Sequence, residues 1–332
     1  MFLPETYQAA LLLMLLSMLC WGSWANTLKL CPGYRFQLFY WDYALGVMLG
    51  ALLLGLTLGS HGSAGTPFLA DLVESPLRSI ELAAGGGVVF NVANLLLVAA
   101  IDVAGLAVAF PVGIGLALIV GSVWSYIVSP KANPILLFAG VALVTLAILL
   151  DAAAYRSREK AAKAATSRGI ALSLVAGLLM GSFYPLVARA MTGAIARPAP
   201  GPYAIATFFA AGVVLSTFPA NLLLMFRPLD GKPRVDGAEY WAALWRWHFA
   251  GILGGMIWCL GAVANFLGSG AHKVGPAVSY SIGQGATMVS ACWGIFVWHE
   301  FAGAPAKARV FLILMFVFFV LGLSSIALAP LY

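Results

Sequence analysis

A single carboxylate interrupts the apolar stretch "FYWDYALG", at Asp42. An ionisable side chain inside a bilayer is expensive and marks a functional site by default. Asp42 stands six residues into an apolar segment that begins near residue 36, about 9 Å along a helix rising 1.5 Å per residue. Phe39, Tyr40, Trp41 and Tyr43 flank it and limit its contact with water. A carboxylate so placed can bind and release a proton, and could couple solute movement to a proton gradient. The competing reading is an interfacial anchor paired with Lys29 or Arg35 across a short loop. Asp102, Asp151, Lys273 and Glu300 fall at span ends, where headgroups and water solvate them, and Glu81 and Arg189 can extend to the interface. His272 and His299 also lie at ends and His248 near the start of a span, so a proton relay through histidine is the lesser reading.

Uncharged polar residues offer recognition chemistry. Asn26, Asn91, Asn94, Asn221, Asn265 and Gln284 lie within apolar segments and present both donors and acceptors. That inventory matches a ligand displaying urea or amide groups, or sugar hydroxyls. For any one of them an interhelical hydrogen bond, worth under about 1 kcal/mol on average, is the plain alternative. Trp21, Trp24, Tyr184, Trp258 and Tyr280 each sit beside Gly, Asn, Ser or Pro. A flat heterocycle would stack on such a ring, and a sugar would lay its C–H face against one. Two related stretches, "AVAFPVGIGLAL" at 107–118 and "AVSYSIGQGATM" at 277–288, place Pro111, Gly113, Gly115, Gly283 and Gly285 inside apolar segments. These glycines serve either close helix packing or a locally loosened helix whose freed backbone groups face a cavity. Gln284 then reaches the solute from between two glycines, opposite the apolar Ile114 of the other copy.

No nucleophile–base set or metal cluster appears at mid-depth, so an enzyme is not indicated and no metal site is expected. Cys20, Cys31, Cys259 and Cys292 form no C-x-x-C pair. Charge rings of the kind that line pores for charged ions are not evident either.

The elements that must position these residues follow from composition. The chain has 332 residues, of which 62% are hydrophobic and 9% charged, with mean hydropathy +0.96. A soluble domain carries about 25% charged residues. The sequence therefore describes an all-α integral membrane protein. Crossing the hydrocarbon core takes about 20 apolar residues, and ten segments qualify, near 6–29, 36–58, 79–101, 106–128, 134–154, 169–191, 203–225, 247–269, 276–298 and 309–329. The apolar runs do not alternate, which excludes a β-barrel. The first segment has no basic stretch before it and reads as a retained span. Lys and Arg in the loops divide thirteen against five if both termini lie outside, with residues such as Lys160, Lys163 and Lys232 inside and Lys131 and Arg197 outside. The positive-inside rule thus orients the chain in an inner (plasma) membrane and accounts for its net charge of +6 without nucleic acid.

The basic stretch 156–168 separates a first unit, 1–155, from a second, 169–332, each of five helices. Gly105/Gly275, Gly113/Gly283 and Gly115/Gly285 recur at an offset of 170, Gly22–Ser23 pairs with Gly181–Ser182, Gly85–Gly86 with Gly254–Gly255, and Ala93–Asn94 with Ala264–Asn265. An odd number of helices per unit inserts the two halves in opposite senses, giving a 5+5 inverted-topology repeat. This is the plan of secondary transporters that rock two halves around a midplane site. A lipid bilayer and a small-molecule solute are then the expected partners, with the chain a monomer or weak homodimer.

Several stretches carry a family resemblance: "CWGSWANTLKL" (20–30), "RFQLFYWDYALGV" (35–47), "GGGVVFNVANLLLVAAI" (85–101), "AFPVGIGLAL" (109–118), "GPAVSYSIGQGATM" (275–288) and "WGIFVWHEF" (293–301). The chain resembles the ureide permease family and the neighbouring glucose/ribose porter group of the drug/metabolite transporter superfamily. That resemblance implies proton-linked movement of small neutral polar solutes: ureides and nucleobase-like heterocycles such as allantoin and uracil, or monosaccharides. Export of drugs or metabolites, found elsewhere in the superfamily, is a further alternative. Plant ureide permeases carry a long central insertion with a nucleotide-binding-like motif. Here 155–168 is short and lacks G-x-x-x-x-G-K-[ST], so the expected energy source is a proton gradient, with no ATP and no cofactor.

Overall fold

The computed structural model describes residues 1–62, 64–158, 166–192, 199–229, 231–271 and 274–332. Lys160, Lys163, Arg197, His272 and Lys273 lie outside the described residues. Those described form helices and connections without a β-strand.

Tyr7–Ser23 (α1) and Asn26–Lys29 (α2) make one span with a bend at Trp24–Ala25. Thr6 opens it, its side chain accepting from Ala9 N at 3.2 Å and so satisfying one of the unpaired amides of the first turn. Phe36–Leu56 (α3), the short Phe68–Glu74 (α4), Leu77–Ala104 (α5), Leu106–Val128 (α6) and Pro134–Arg158 (α7) complete the first half. The second half comprises Ser167–Ala190 (α8), Pro202–Phe226 (α9), the short Ala238–Ala242 (α10), Trp245–Gly270 (α11), Gly275–Gly283 (α12), Ala286–Cys292 (α13) and Ala306–Leu328 (α14). A π-helical turn, Trp293–Val297, follows α13. Only Gly105, at φ +81°, separates α5 from α6, a conformation open to glycine because it has no Cβ.

Among the described residues nine helical spans are long and apolar enough to cross a membrane. The remaining expected segment, 276–298, ninth in order, is not one helix. It is split into α12, α13 and the π turn, with the break at Gln284–Gly285. Pro111, by contrast, does not break α6. It lies in the second turn, where it removes one backbone hydrogen bond without stopping the helix.

Two buried clusters hold the molecule together. One is centred on α3, α5, α8, α9 and α11, the other on α7, α12 and α14. Outside them large apolar side chains such as Leu12, Leu53, Ile135, Leu223 and Ile313 are exposed, as expected for surfaces facing lipid tails. In hydrocarbon, association depends on close packing and not on burial from water, and glycine provides it. A Cβ on Gly255 would stand 2.0 Å from Tyr43 O and one on Gly46 2.1 Å from Ile252 O, so α3 and α11 touch backbone to backbone. The α5–α9 crossing repeats this, with 2.0 Å from Gly87 to Phe209 O and 2.0 Å from Gly212 to Ala84 O.

One end of the bundle is sealed by its own connections. The amino terminus donates to Ala64 O at 2.6 Å, Phe2 N to Leu58 O at 2.9 Å, and Gly201 N to Asp71 Oδ2 on α4 at 2.8 Å. Phe68 of α4 is 1% exposed. At the other end α10 has no buried residue.

Candidate functional site

A cavity of about 490 Å³ opens at the end of the bundle where α10 lies. Its mouth is bounded by Tyr34, Arg35, Asp102 and Lys232. Lys232 stands 3.5 Å from Asp102, and Arg35 donates to Pro233 O at 3.4 Å. The floor is aromatic. Trp21 and Trp258 lie nearly parallel with ring centroids 6.0 Å apart, Phe90 approaches Trp258 at 4.2 Å, and Phe183 packs on Phe90 at 5.3 Å.

Two side-chain amides enter this apolar box. Asn94 donates from Nδ2 to Tyr40 Oη at 3.1 Å, and Tyr40 in turn donates to Asn91 Oδ1 at 2.8 Å. Among the described residues nothing donates to Asn94 Oδ1. Gln284 sits at the helix break, and its side-chain amide makes no hydrogen bond to the described residues. Thr287 and Ser290 continue the same cavity face along α13. A planar solute with urea-like groups can lie against the indoles and exchange hydrogen bonds with these two amides.

Of the residues expected from sequence to bind solute, Trp21, Trp24, Asn94, Trp258 and Gln284 line the cavity. The others are placed elsewhere. Asn26 accepts from Trp298 Nε1 at 2.6 Å, joining α2 to the end of the broken span. Asn91 donates to Ser216 Oγ at 2.9 Å. Asn265 accepts from Tyr184 and donates to Ser17 Oγ at 3.0 Å and Ser279 O at 2.9 Å, while Tyr280 donates to Ala117 O at 3.1 Å. Each is engaged by protein groups, the interhelical use weighed from sequence. Asn221 likewise donates to Gln37 O at 2.8 Å.

The glycines divide in the same way. Gly113 packs against Gly177 of α8, whose Cβ would lie 2.5 Å from Gly113 O. Gly115 has open space beside it. A Cβ on Gly283 would meet the Trp21 ring at 2.6 Å, so the bare glycine admits that indole, and one on Gly285 would meet Met18 Sδ at 2.5 Å.

Asp42 is 2% exposed and does not line the cavity. Neither Lys29 nor Arg35 is its partner, contrary to the anchor reading. Lys29 reaches Glu300 at 2.5 Å instead. Tyr240 of α10 donates to Asp42 Oδ1 at 2.7 Å, and His248 Nδ1 stands 2.8 Å from Oδ2. Tyr34 connects this pair to the mouth, tilting on Trp247 at 5.1 Å and meeting His248 edge-on at 6.4 Å. Burial, followed by the Asp42 charge, pushes the Tyr34 hydroxyl well above its ordinary range. Tyr240 is raised by burial and by its hydrogen bond to Asp42. Both remain donors at any physiological pH.

Sequence reasoning missed Phe90, Phe183, Thr287 and Ser290 as lining residues, and Tyr240 and His248 as the partners of Asp42. Thr287 and Ser290 follow Gln284 at helical spacing, a usable signal. Tyr240 lies in a connection where nothing in the local pattern points to Asp42. Asp151, expected at a solvated span end, does lie near the end of α7 but is only 5% exposed.

Comparison with known proteins places this architecture. The ureide permease family profile matches residues 39–168. Ureide permease 2 of Arabidopsis thaliana is 24% identical over 388 residues, covering 96% of each chain. Ureide permease 1 of the same plant is 23% identical, covering 98% of this chain and 97% of the relative. Probable ureide permease A3 of Vigna unguiculata is 30% identical over a shorter stretch, 47% of this chain and 43% of that one. One crystal structure of a protein 14% identical in sequence superposes with a TM-score of 0.62 over 95% of this chain and 96% of that one, which shows a shared fold. Permease homologues indicate a transporter and not an enzyme, in keeping with a multi-pass helical membrane protein. Along nearly its whole length the chain is similar to ureide permeases, whose family profile matches residues 39–168.

Proposed function

We propose that this chain is a secondary transporter that carries a small neutral polar heterocycle of the ureide or nucleobase type across an inner membrane. The observation that carries this reading is the pair of amides, Asn94 and Gln284, entering a cavity walled by Trp21, Trp24, Phe90 and Trp258. Similarity to ureide permeases favours that solute class over monosaccharides and over exported drugs. In this reading Trp21, Trp24 and Trp258 stack the ring, Asn94 and Gln284 hydrogen-bond its edge, and Asp42 couples uptake to protons. The energy source is the proton gradient, without ATP, and the chain acts as a monomer or weak homodimer.

The architecture in this proposal has ten crossings, α12, α13 and the π turn forming a broken ninth. Together Gly275–Val297 would span about 34 Å if fully helical. The units 1–155 and 169–332, joined by 156–168, are taken as an inverted pair. Helix packing supports this. Exchanging α1, α3, α5, α6 and α7 with α8, α9, α11, α12–α13 and α14 turns α5–α8 into α11–α1, α3–α11 into α9–α5 and α6–α8 into α12/α13–α1, all pairs that pack. It also turns Gly87–Phe209 into Gly255–Tyr43, and Gly181, facing Ala117 O and Val120, into Gly22, facing Ala286 O and Val289. The cavity opens on the face bearing the basic connections, so with both termini outside the conformation is inward-open. Alternating access follows from closing that face and opening the one sealed by α4.

Purified protein in liposomes should accumulate labelled allantoin or uracil under an inward proton gradient. Equal uptake with and without the gradient would end the coupling assignment, and no uptake of either solute by any driving force would end the solute assignment.

A further inference from the structure

The transport reading leaves one buried carboxylate unused. Asp151 lies seven residues before the end of α7. Its helix neighbours Ala147, Ile148 and Ala154 belong to the apolar cluster that includes Ala291, Phe301, Ala308 and Leu312. Asp151 is 5% exposed, and its Oδ1 is buried with no hydrogen-bond partner among the described residues. An ionised carboxylate in such surroundings needs a cation or donors, without which it neutralises by taking a proton.

Among the described residues, the charged and titratable groups around it supply no such partner. Glu300, in the connection before α14, acts on Asp151 with a like charge. Two cations of the described residues are engaged by Glu300 instead, Lys29 at 2.5 Å and Arg158 at 3.8 Å. Tyr155, one turn along α7, donates its hydroxyl to Glu300 Oε2 at 2.8 Å. Arg156, His299, Lys307 and Arg309 are exposed. The titratable side chains that α6, α12 and α13 contribute are Tyr126, Tyr280 and Cys292, none of them a cation.

Glu300 is also the centre of a clasp. Besides Lys29 at the end of α2 and Tyr155 and Arg158 at the end of α7, its own backbone N donates to Gly294 O in the π turn at 2.8 Å. Trp293 Nε1 donates to Ser23 Oγ at 2.9 Å and Trp298 Nε1 to Asn26 Oδ1 at 2.6 Å. The broken span, which carries Gln284, Thr287 and Ser290 into the cavity, is thereby tied to α1, α2 and α7. We propose that Asp151 is a second proton-binding carboxylate, neutral in the conformation described here, and that its ionisation places a like charge beside the Glu300 clasp and releases the broken span. The proton leaves to water and no other bond changes. This deepens the transport reading and rests on it for its consequence, whereas the protonation state itself can be read independently.

Infrared difference spectra of the reconstituted full-length protein across a pH jump should contain a protonated-carboxyl band. The band should persist in Asp42→Asn and vanish in Asp151→Asn. A spectrum without the band, or with a band unchanged in Asp151→Asn, overturns the proposal. If Asp151→Asn does not fold, Asp151→Glu answers the same question, because a band left unshifted in it belongs to another acid. Uptake by Asp151→Asn should lose its change between acid and neutral pH while solute exchange across equal pH continues. A band present without gradient-stimulated uptake in the unsubstituted protein removes the coupling but keeps the proton site. Stimulated uptake without the band does the reverse.

Discussion

At the residue scale the site is economical in polar groups. Asn94 is held through Tyr40 and Asn91, so its carbonyl is presented to the cavity in a fixed direction. Gln284 has no such support and owes its position to the helix break. Removing one hydrogen-bonding partner of a neutral solute costs about 0.5–1.5 kcal/mol, or up to about tenfold in affinity. Gln284→Leu should therefore raise the KM for solute by up to about tenfold with the melting temperature unchanged, measured by uptake kinetics and thermal shift. Glu300 makes a different prediction. Burial pushes its carboxyl up, but the hydrogen bonds from Lys29 and Tyr155 outweigh it and hold it below the ordinary value of 4.5. The folded state then binds fewer protons than the unfolded one on the acid side. The clasp's contribution is fully present above pH 4.5 and is lost as pH falls through the lowered folded value. Glu300→Gln should abolish that acid-side loss in thermal unfolding curves recorded against pH, leaving a lower, flatter stability.

At the element scale, backbone contact between helices sets what the sequence can vary. A Cβ at position 255 would stand 2.0 Å from Tyr43 O, and backbone cannot yield as a flexible side chain can. Gly255→Val should part α3 from α11, disturb the Asp42–His248 contact that bridges them, and lower the melting temperature sharply. Gly115 is the internal control, with open space around it. There Gly115→Ala should be neutral or stabilising by up to about 1 kcal/mol, the helix-propensity gain over glycine. Comparable destabilisation by both substitutions would contradict the packing described for α3 and α11.

At the scale of the whole molecule the two ends differ. One is tied by the amino terminus, α4 and the start of α9, while the other is open above the cavity with α10 lying exposed. The proposed orientation puts the open end in the cytoplasm. Cysteines introduced at Arg227 and Lys131 test it. In intact cells a membrane-impermeant thiol reagent should label Lys131→Cys and spare Arg227→Cys, and the opposite pattern would invert the topology and the direction in which the cavity opens.

Most of the helices were legible because a membrane span is a one-dimensional property: length and apolarity suffice, and nine of the ten expected segments appear as continuous spans. The other segment shows the limit. Gly283 and Gly285 advertised an irregularity, but "AVAFPVGIGLAL", with a proline besides, forms an unbroken helix. Whether glycines loosen a helix depends on what packs against them: Gly113 against Gly177, Gly283 against the Trp21 ring. Under the proposed twofold, packing contacts pair Gly87, not Gly86, with Gly255, one residue from the sequence pairing of Gly85–Gly86 with Gly254–Gly255. Residue types alone determined that the chain is a helical membrane protein, with amide and indole chemistry open to a flat heterocycle or a sugar. Only the tertiary structure decided which amides meet a cavity, which are consumed between helices, that Asp42 answers to His248 and Tyr240, and that Asp151 Oδ1 has no partner among the described residues. The physical reason is that hydrogen bonds join groups up to 320 positions apart, as from Tyr7 to Ala327, and no local pattern records which of many possible partners the packing brings together.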